Sequence, residues 1–145
     1  MSNIVLLIHG PNLNLLGQRD QQHYGTLTLA DIEKLVATQA EKYGLKIKSF
    51  QSNHEGALID FIQKQTPTAM GIIINPGALT HYSYALHDAL LDTHLPCVEV
   101  HLSDISNREP WRKISVTSPA CLAVISGKKE QGYLEALDLL CKKIK

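Results

Sequence analysis

The sequence predicts a doubly wound α/β fold, with a five-stranded parallel sheet between two layers of helices. Short β-branched apolar runs alternate with longer amphipathic segments, and the apolar runs carry few polar positions. Strands of this kind are buried on both faces, as in parallel sheets that helices cover. The pattern favours a three-layer architecture, α/β/α, of the flavodoxin-like type. The 145 residues suffice for one domain with a sizeable core, so we expect a single domain over residues 1–145.

Five runs are predicted as strands from their length and their content of Ile, Val and Leu. They are Ile4 to Ile8, Lys46 to Phe50, Gly71 to Ile74, Cys97 to Val100 and Leu122 to Ile125.

Four amphipathic segments are predicted as helices between and after these strands. The first is expected to begin after the cap residue Thr28 and to end near Gly44. The others are expected from Glu55 to Gln65, from His81 to Leu91 behind a Thr80 cap, and from Glu130 to the C-terminus.

Composition and charge exclude several classes of partner. Lysine plus arginine and aspartate plus glutamate both total 14, so no net field attracts nucleic acid or an anionic membrane. No apolar run reaches about 18 residues, and Met1 to Ile4 carry no basic flank, so we expect no membrane span and a cytoplasmic protein. Cys97, Cys121 and Cys141 form no CxxC motif and suit a reducing compartment as small apolar fillers.

Polar side chains collect where the predicted strands end. They lie in His9 to Asn14, Ser52 to Glu55, Asn75 to Ala78 and His101 to Ser103. In doubly wound sheets, ligands bind beyond the carboxyl ends of the strands, where the strand order reverses. A single polar loop is commonplace, but four such ends predict a binding site at this edge of the sheet.

Glu99 and His101 stand two residues apart at the end of the fourth predicted strand. Side chains i and i+2 of a strand share a face, so Glu99 can hold one ring nitrogen of His101 and orient the other. His101 is therefore a candidate proton donor or acceptor. On the pattern alone, a structural strand-end pair without chemistry is an equal alternative, because a buried charge must be paired in either case.

The connection after the first strand predicts a lid over this edge. It runs from Gly17 to Gly25, is polar inside and has a glycine at each end. It carries Arg19 and Tyr24. Tyrosine is protonated at neutral pH, but a nearby guanidinium favours the phenolate, which is a base. A solvated arginine and a loop-anchoring tyrosine are the simpler alternative.

Further charged side chains follow the third and fourth strands. The segment after the fourth strand predicts a capped helical turn with Arg108 and Arg112 at i and i+4, suited to an oxyanion or a polyhydroxylated anion. Alternatively, Glu109 neutralises one arginine in an ordinary surface turn. His81 and Asp88 share a face of the third predicted helix, where such residues are usually solvated.

Longer motifs run in order through nearly the whole chain. They are His9 to Gly17 with Arg19 and Tyr24-Gly25, Ser52 to Gly56, Asn75 to Ala78 with His81 and Ser83, Glu99 to Ser103, Arg108 to Pro110 with Arg112, and Gln131 to Tyr133. Together they resemble the type II 3-dehydroquinate dehydratases. The resemblance implies anti elimination of water from 3-dehydroquinate through an enolate, giving 3-dehydroshikimate without metal or other cofactor. The reaction serves the shikimate pathway of aromatic amino-acid biosynthesis or quinate breakdown, and the sequence leaves both open.

The resemblance also implies catalytic roles, position by position. Tyr24 as phenolate would take a proton from the carbon next to the ketone, with Arg19 keeping it ionised. Asn12 would stabilise the enolate through a bound water. His101, oriented by Glu99, would protonate the departing hydroxyl.

Substrate binding and assembly follow from the same resemblance. Leu102 and Ser103 would hold the substrate carboxylate. The ring hydroxyls would contact Asn75, His81 and Arg112, with Asp88 reaching in from a neighbouring subunit. The implied assembly is a homododecamer built from trimers, with no nucleic-acid or membrane partner.

One pair of residues departs from the pattern of the family that the chain resembles. Asp20-Gln21 replaces the Glu-Pro that usually follows the arginine in the family, so the open lid has more conformations to lose on closing.

The alternative function is a flavodoxin-like module that binds a small anion or a nucleotide without catalysis. It lacks support because neither a GxGxxG nor a Walker-type glycine motif occurs, and the histidines show no HExxH spacing for a metal.

Overall fold

A five-stranded parallel sheet forms the centre of the structure, a computed structural model that describes residues 2–144. Its strands are β1 (Ile4–His9), β2 (Lys46–Gln51), β3 (Ala69–Asn75), β4 (Cys97–His101) and β5 (Ala123–Ser126). The strand order is β2-β1-β3-β4-β5, and every neighbouring pair is parallel. The predicted flavodoxin-like sheet is confirmed. Its order reverses at the boundary between β1 and β3, where the fold places ligands.

Helices cover both faces of the sheet. They are α1 (Gln21–Tyr24), α2 (Leu29–Glu41), α3 (Glu55–Gln65), α4 (Tyr84–Asp92) and α5 (Gln131–Ile144). Val5 and Leu7 of β1 pack with α2 and α5, whereas Leu6 and Ile8 pack with α3 and α4. Successive strand residues point to opposite faces, so β1 is apolar from Ile4 to Ile8 because both of its faces are buried.

The start of α2 agrees with the prediction. The Thr28 hydroxyl accepts the backbone N–H of Asp31, and the Asp31 carboxylate accepts the backbone N–H of Thr28. This reciprocal capping box satisfies two N–H groups that a helix start leaves without partners. The helix ends at Glu41, three residues before Gly44, whose φ of 72° turns the chain toward β2.

The helix predicted from His81 behind a Thr80 cap is wrong at its start. Residues Gly77–His81 form a 3-10 turn, and α4 begins at Tyr84 with Ser83 as its cap. The Thr80 hydroxyl lies 3.0 Å from that of Thr117 and is completely buried. A tertiary hydrogen bond has therefore taken the side chain that the sequence assigned to capping.

Other boundaries shift by one or two residues. Strand β3 begins at Ala69 instead of Gly71, and β5 begins at Ala123 instead of Leu122. Helix α5 begins at Gln131, one residue after the predicted start. The last residue of that predicted helix, Lys145, lies outside the described residues.

Candidate active site

Three of the four polar strand ends that were predicted to meet, those of β1, β3 and β4, line one pocket, whereas Ser52 to Glu55 after β2 do not belong to its lining. Its lining is Pro11, Asn12, Leu13, Arg19, Tyr24, Asn75, Gly77, Ala78, His81, His101, Leu102, Ser103, Ile105, Arg108 and Arg112. Of the predicted site residues, all but Glu99 and Asp88 belong to this lining. Glu99 lies behind His101, and Asp88 lies on the surface.

Glu99 and His101 form a buried pair on one face of β4. The Nε2 of His101 lies 2.9 Å from Oε2 of Glu99, and the two side chains are 6% and 0% exposed. Since a carboxylate only accepts hydrogen bonds, it fixes a proton on Nε2. This leaves Nδ1 as the ring nitrogen that can exchange a proton with a bound molecule.

Two hydroxyls hold Glu99 in its charged form. Ser115 donates to Oε2 at 2.9 Å, and Thr117 donates to Oε1. Burial raises the pKa of Glu99, but the hydrogen bonds from His101, Thr117 and Ser115 outweigh it, so the pKa lies below its usual range. The buried carboxylate is therefore an anion directly beside the His101 ring.

Thr80 links these groups and was missed as a site residue. Its hydroxyl lies 3.0 Å from that of Thr117 and 3.4 Å from Nε2 of His101. Thr80, Ser115 and Thr117 carry hydroxyl groups, but they lie in two segments of the chain that are far apart, so the sequence offered no signal that joins them. Nothing in the sequence showed that the segment with Ser115 and Thr117 packs on β4.

Tyr24 lies between two guanidinium groups. The Cζ of Arg19 stands 3.8 Å from the centroid of the Tyr24 ring, which confirms that the two share the pocket. The phenol oxygen is bound by another residue, because Nη1 of Arg108 donates to it at 2.8 Å. Arg108 also donates to the Ser103 hydroxyl at 3.2 Å. A charge-assisted hydrogen bond of this kind places a guanidinium directly at the phenol oxygen.

The pocket concentrates positive charge. Burial lowers the pKa of Arg19, and the nearby Arg108 and Arg112 lower it further, while Tyr24 opposes them. Three guanidiniums at one pocket suit an anionic ligand, since each attracts a carboxylate or an enolate.

The predicted helical turn that carries Arg108 and Arg112 is wrong in form. Two 3-10 turns, Ile105–Asn107 and Pro110–Lys113, flank an extended Arg108. Proline at the first position of the second turn cannot donate the N–H that a continuous helix requires. Both arginines nevertheless reach the pocket, and Glu109 pairs with Arg112 at 3.0 Å.

His81 is held as a hydrogen-bond acceptor toward the pocket. Its Nδ1 donates to the carbonyl of Ile114 at 2.6 Å. Burial lowers the pKa of His81, with His101 and Arg112 contributing in the same direction against the Ile114 hydrogen bond. A neutral imidazole that donates through Nδ1 leaves Nε2 free to accept a hydroxyl hydrogen.

Asn12 adopts an uncommon backbone conformation at the end of β1. Its φ is 71°, in the left-handed region that asparagine tolerates better than most residues. Its backbone N–H donates to Oδ1 of Asn53 at 2.9 Å, and Gln51 donates to the same oxygen at 3.2 Å. Strand β2 therefore fixes the loop that presents Asn12.

The backbone at Leu102 and Ser103 is held by hydrogen bonds from the segment that follows β5. The carbonyl of Leu102 accepts the N–H of Lys129 at 3.1 Å, and that of Ser103 accepts the N–H of Gly127 at 3.0 Å. Both residues are buried at the pocket wall.

The predicted lid contains the short helix α1. Asp20 caps it by accepting the backbone N–H of Gln22 at 2.9 Å. Gly17 and Gly25 bound the segment with φ values of 95° and 79°, which only glycine adopts readily. Asp20 thus has a structural role as the cap of α1.

Asp88 lies outside the pocket of its own chain. Its side chain is 74% exposed and lies 3.2 Å from Nδ1 of His87. Tyr84 and Leu91 are also exposed on α4, and the spacing 84, 88 and 91 puts these three side chains on one face.

None of the helices within residues 2–144 combines the length and hydropathy that a bilayer-spanning segment requires.

Known proteins match this chain over nearly its whole length. The model of a family described as "Dehydroquinase class II" matches residues 3–141. A "3-dehydroquinate dehydratase" of Roseiflexus castenholzii is 50% identical over 136 residues, covering 94% of this chain and 87% of that protein. A "Catabolic 3-dehydroquinase 1" of Neosartorya fischeri is 49% identical over 138 residues, covering 95% and 92%. The crystal structure of a type II dehydroquinase from Butyrivibrio crossotus superposes with a TM-score of 0.92 at 42% identity, covering 96% of this chain and 97% of that chain.

Proposed function

Because the chain belongs to the class II dehydroquinase family and is a 3-dehydroquinate dehydratase, a hydro-lyase, we propose that this pocket removes water from 3-dehydroquinate by anti elimination through an enolate. Residues 1–145 act as a single catalytic domain in this proposal. The observation that carries it is the pairing of two proton-transfer groups in one pocket: Tyr24, bound by Arg108, and His101, bound by Glu99.

Tyr24 is the base. A proton beside a ketone is only moderately acidic, so its removal needs an activated base and stabilisation of the enolate oxygen. Arg108 stabilises the phenolate oxygen directly at 2.8 Å, and Arg19 lies over the ring. Asn12 stabilises the enolate oxygen, through a bound water, from a loop that Asn53 holds in place.

His101 is the acid. A hydroxyl group leaves as water only when it receives a proton, and the Glu99 carboxylate, 2.9 Å from Nε2, orients His101 for this role. The electron pair of the broken C–O bond goes to the departing oxygen, and the enolate collapses to the conjugated enone. Tyr24 then holds the proton taken from carbon and His101 has lost one, so the transfer of one proton from Tyr24 to His101 through solvent restores both groups for the next turnover.

The remaining pocket residues bind the substrate. Leu102 and Ser103 hold the carboxylate at the end of β4, within the field of the three arginines. Asn75, His81 and Arg112 contact the ring hydroxyls. The donor Arg112 and the acceptor Nε2 of His81 suit hydroxyl groups, which both donate and accept.

Asp88 completes the pocket of a neighbouring subunit in a homododecamer built from trimers. The pocket of its own chain does not include Asp88. Asp88 lies on a face of α4 on which the side chains of Tyr84 and Leu91 are 68% and 51% exposed. Large exposed apolar side chains around a polar residue are typical of an interface. Light scattering would test this: twelve chains of 16.1 kDa weigh about 193 kDa, and a mass near 16.1 kDa would refute the assembly.

The cell compartment and pathway follow the same proposal. We place the protein in the cytoplasm, in the shikimate pathway toward aromatic amino acids. Cys97, Cys121 and Cys141 form no CxxC motif, which suits a reducing compartment. Cell fractionation would test the compartment, and recovery of the protein outside the cytoplasm would overturn it.

The assay for the activity is the ultraviolet absorbance of the conjugated product. Purified protein should turn over 3-dehydroquinate without any added cofactor. Tyr24→Phe should lower kcat by about 10²- to 10⁴-fold while substrate still binds, because only the base is lost. Tyr43→Phe is the matched control, since its hydroxyl bonds to Asp138 outside the pocket.

A second variant separates the acid from the base. In His101→Ala, exchange of the proton next to the ketone should continue while dehydration fails. Loss of both would argue against a separate acid. Near-normal turnover by Tyr24→Phe would overturn the base assignment, and no absorbance change with the unmodified protein would favour the alternative binding module.

A further inference from the structure

Tyr133 places a hydroxyl directly beneath the pocket. It lies on α5, is completely buried, and its hydroxyl accepts a hydrogen bond from Nδ2 of Asn75 at 3.0 Å. Burial raises the pKa of Tyr133 far above its usual value, with only partial compensation from the Asn75 hydrogen bond. The group therefore stays a neutral phenol and takes no part in proton transfer.

The two ends of the Asn75 amide are distinguished by their partners. Oδ1 accepts the backbone N–H of Gly77 at 3.0 Å, and a backbone N–H can only donate. The oxygen must therefore face Gly77, and the nitrogen must face Tyr133. One N–H of the amide is used by Tyr133, which leaves the second N–H for a ligand in the pocket that Asn75 lines.

The surroundings hold this arrangement in place. The carbonyl of Asn75 accepts the backbone N–H of Gly10 at 2.7 Å, which ties β3 to the end of β1. His9, also completely buried, packs beside Tyr133 with 6.1 Å between ring centroids and lies 3.3 Å from a Glu33 carboxylate oxygen. The Tyr133 side chain is thus completely buried, and its hydroxyl is out of contact with solvent.

We propose that Tyr133 is a positioning residue for substrate binding: its hydroxyl orients the Asn75 amide so that the pocket is offered an N–H donor. This rests on the proposed role of Asn75 at a ring hydroxyl. Without the Tyr133 hydroxyl, the amide is held only at its oxygen, by the N–H of Gly77, and the nitrogen that carries the donor loses its fixed partner.

The test is Tyr133→Phe, which keeps the ring in the core and removes only the hydroxyl. We expect KM to rise about fivefold, as for the loss of one neutral hydrogen bond, with kcat changed less than twofold. Tyr43→Phe, a hydroxyl deletion outside the pocket, should leave both constants unchanged. In an Asn75→Ala background, Tyr133→Phe should have no further effect on KM because the oriented group is gone.

Asn75→Asp gives an independent test that does not alter the core tyrosine. Aspartate is an acceptor without an N–H, so it should raise KM more than Asn75→Ala does. Equal KM values for these two variants, or an unchanged KM for a folded Tyr133→Phe, would overturn the proposal. If Asn75→Ala itself leaves KM unchanged, Asn75 does not bind the substrate, and the proposed function is wrong at this residue. If Asn75→Ala raises KM and Tyr133→Phe does not, only the positioning role of Tyr133 is wrong.

Discussion

Replacing Thr117 with valine should lower the free energy of unfolding by about 2 to 3 kcal/mol at neutral pH. The change removes the hydroxyl that donates to Oε1 of Glu99, and hydrogen bonds to charged groups contribute about 1.5 to 3 kcal/mol. Thr80 also loses its 3.0 Å partner. Valine has nearly the same volume, so no cavity adds to this cost. For a chain of this size, the loss lowers Tm by roughly 5 to 10 °C.

The effect should depend on pH with a defined sign. The folded-state pKa of Glu99 is lowered, so its contribution to stability is complete above the unfolded value, about 4.3, and is lost as pH falls through the folded value. Thr117→Val raises that folded pKa toward the ordinary value. The difference in stability between the two proteins should therefore be largest near pH 7 and shrink on acidification.

Urea unfolding at fixed protein concentration, from pH 7 down to the lowest pH at which the protein folds, measures this difference. Thr66→Val is the control, because its hydroxyl donates at 2.6 Å to a neutral acceptor, the carbonyl of Ile62. The control should cost about 1 kcal/mol at every pH. A Thr117→Val loss that is no larger than the control, or that stays constant with pH, would refute the view that Thr117 stabilises a charged carboxylate.

Further substitutions test the loops and the base. Gly10→Ala should destabilise by about 3 kcal/mol or more in thermal unfolding, because the new Cβ would lie 2.1 Å from the carbonyl oxygen of Pro76. Gly56→Ala should instead stabilise the protein by about 0.5 to 1 kcal/mol, because Gly56 lies in α3 with open space where the new Cβ would be. Equal changes in stability for the two variants would contradict the close contact between Gly10 and Pro76. Arg108→Lys keeps the charge but loses the placed hydrogen bond to Tyr24, so kcat should fall about 10- to 100-fold in the ultraviolet assay. An unchanged kcat would leave Arg19 as the only guanidinium that assists the base.

Local patterns predicted most of the fold. The five strands and α2 with its Thr28 cap were predicted, because the apolar pattern of each element and the cap residue lie close together in the sequence. The start of α4 was not found, because the hydroxyl of Thr80 bonds to a residue 37 positions away. No local pattern contains such a partner.

The candidate site shows the same division. Strand spacing predicted that Glu99 would hold His101, and family resemblance supplied the remaining assignments. The sequence put Arg19 beside Tyr24 but left the role of Arg108 open, since 84 positions separate Arg108 from the tyrosine. Only the packed loops bring that guanidinium to the phenol oxygen.

The sequence by itself determined the fold class and the residue types that line the pocket, because periodicity and strand ends are local properties of the chain. The tertiary structure decided how those residues are charged and oriented. It brought three sets of groups into hydrogen-bond contact: the hydroxyls of Ser115 and Thr117 with the Glu99 carboxylate, the Arg108 guanidinium with the phenol oxygen of Tyr24, and the Tyr133 hydroxyl with the Asn75 amide nitrogen. The physical reason is that burial and hydrogen bonds from distant segments set protonation and amide orientation, and these arise only when the sheet and its loops pack together.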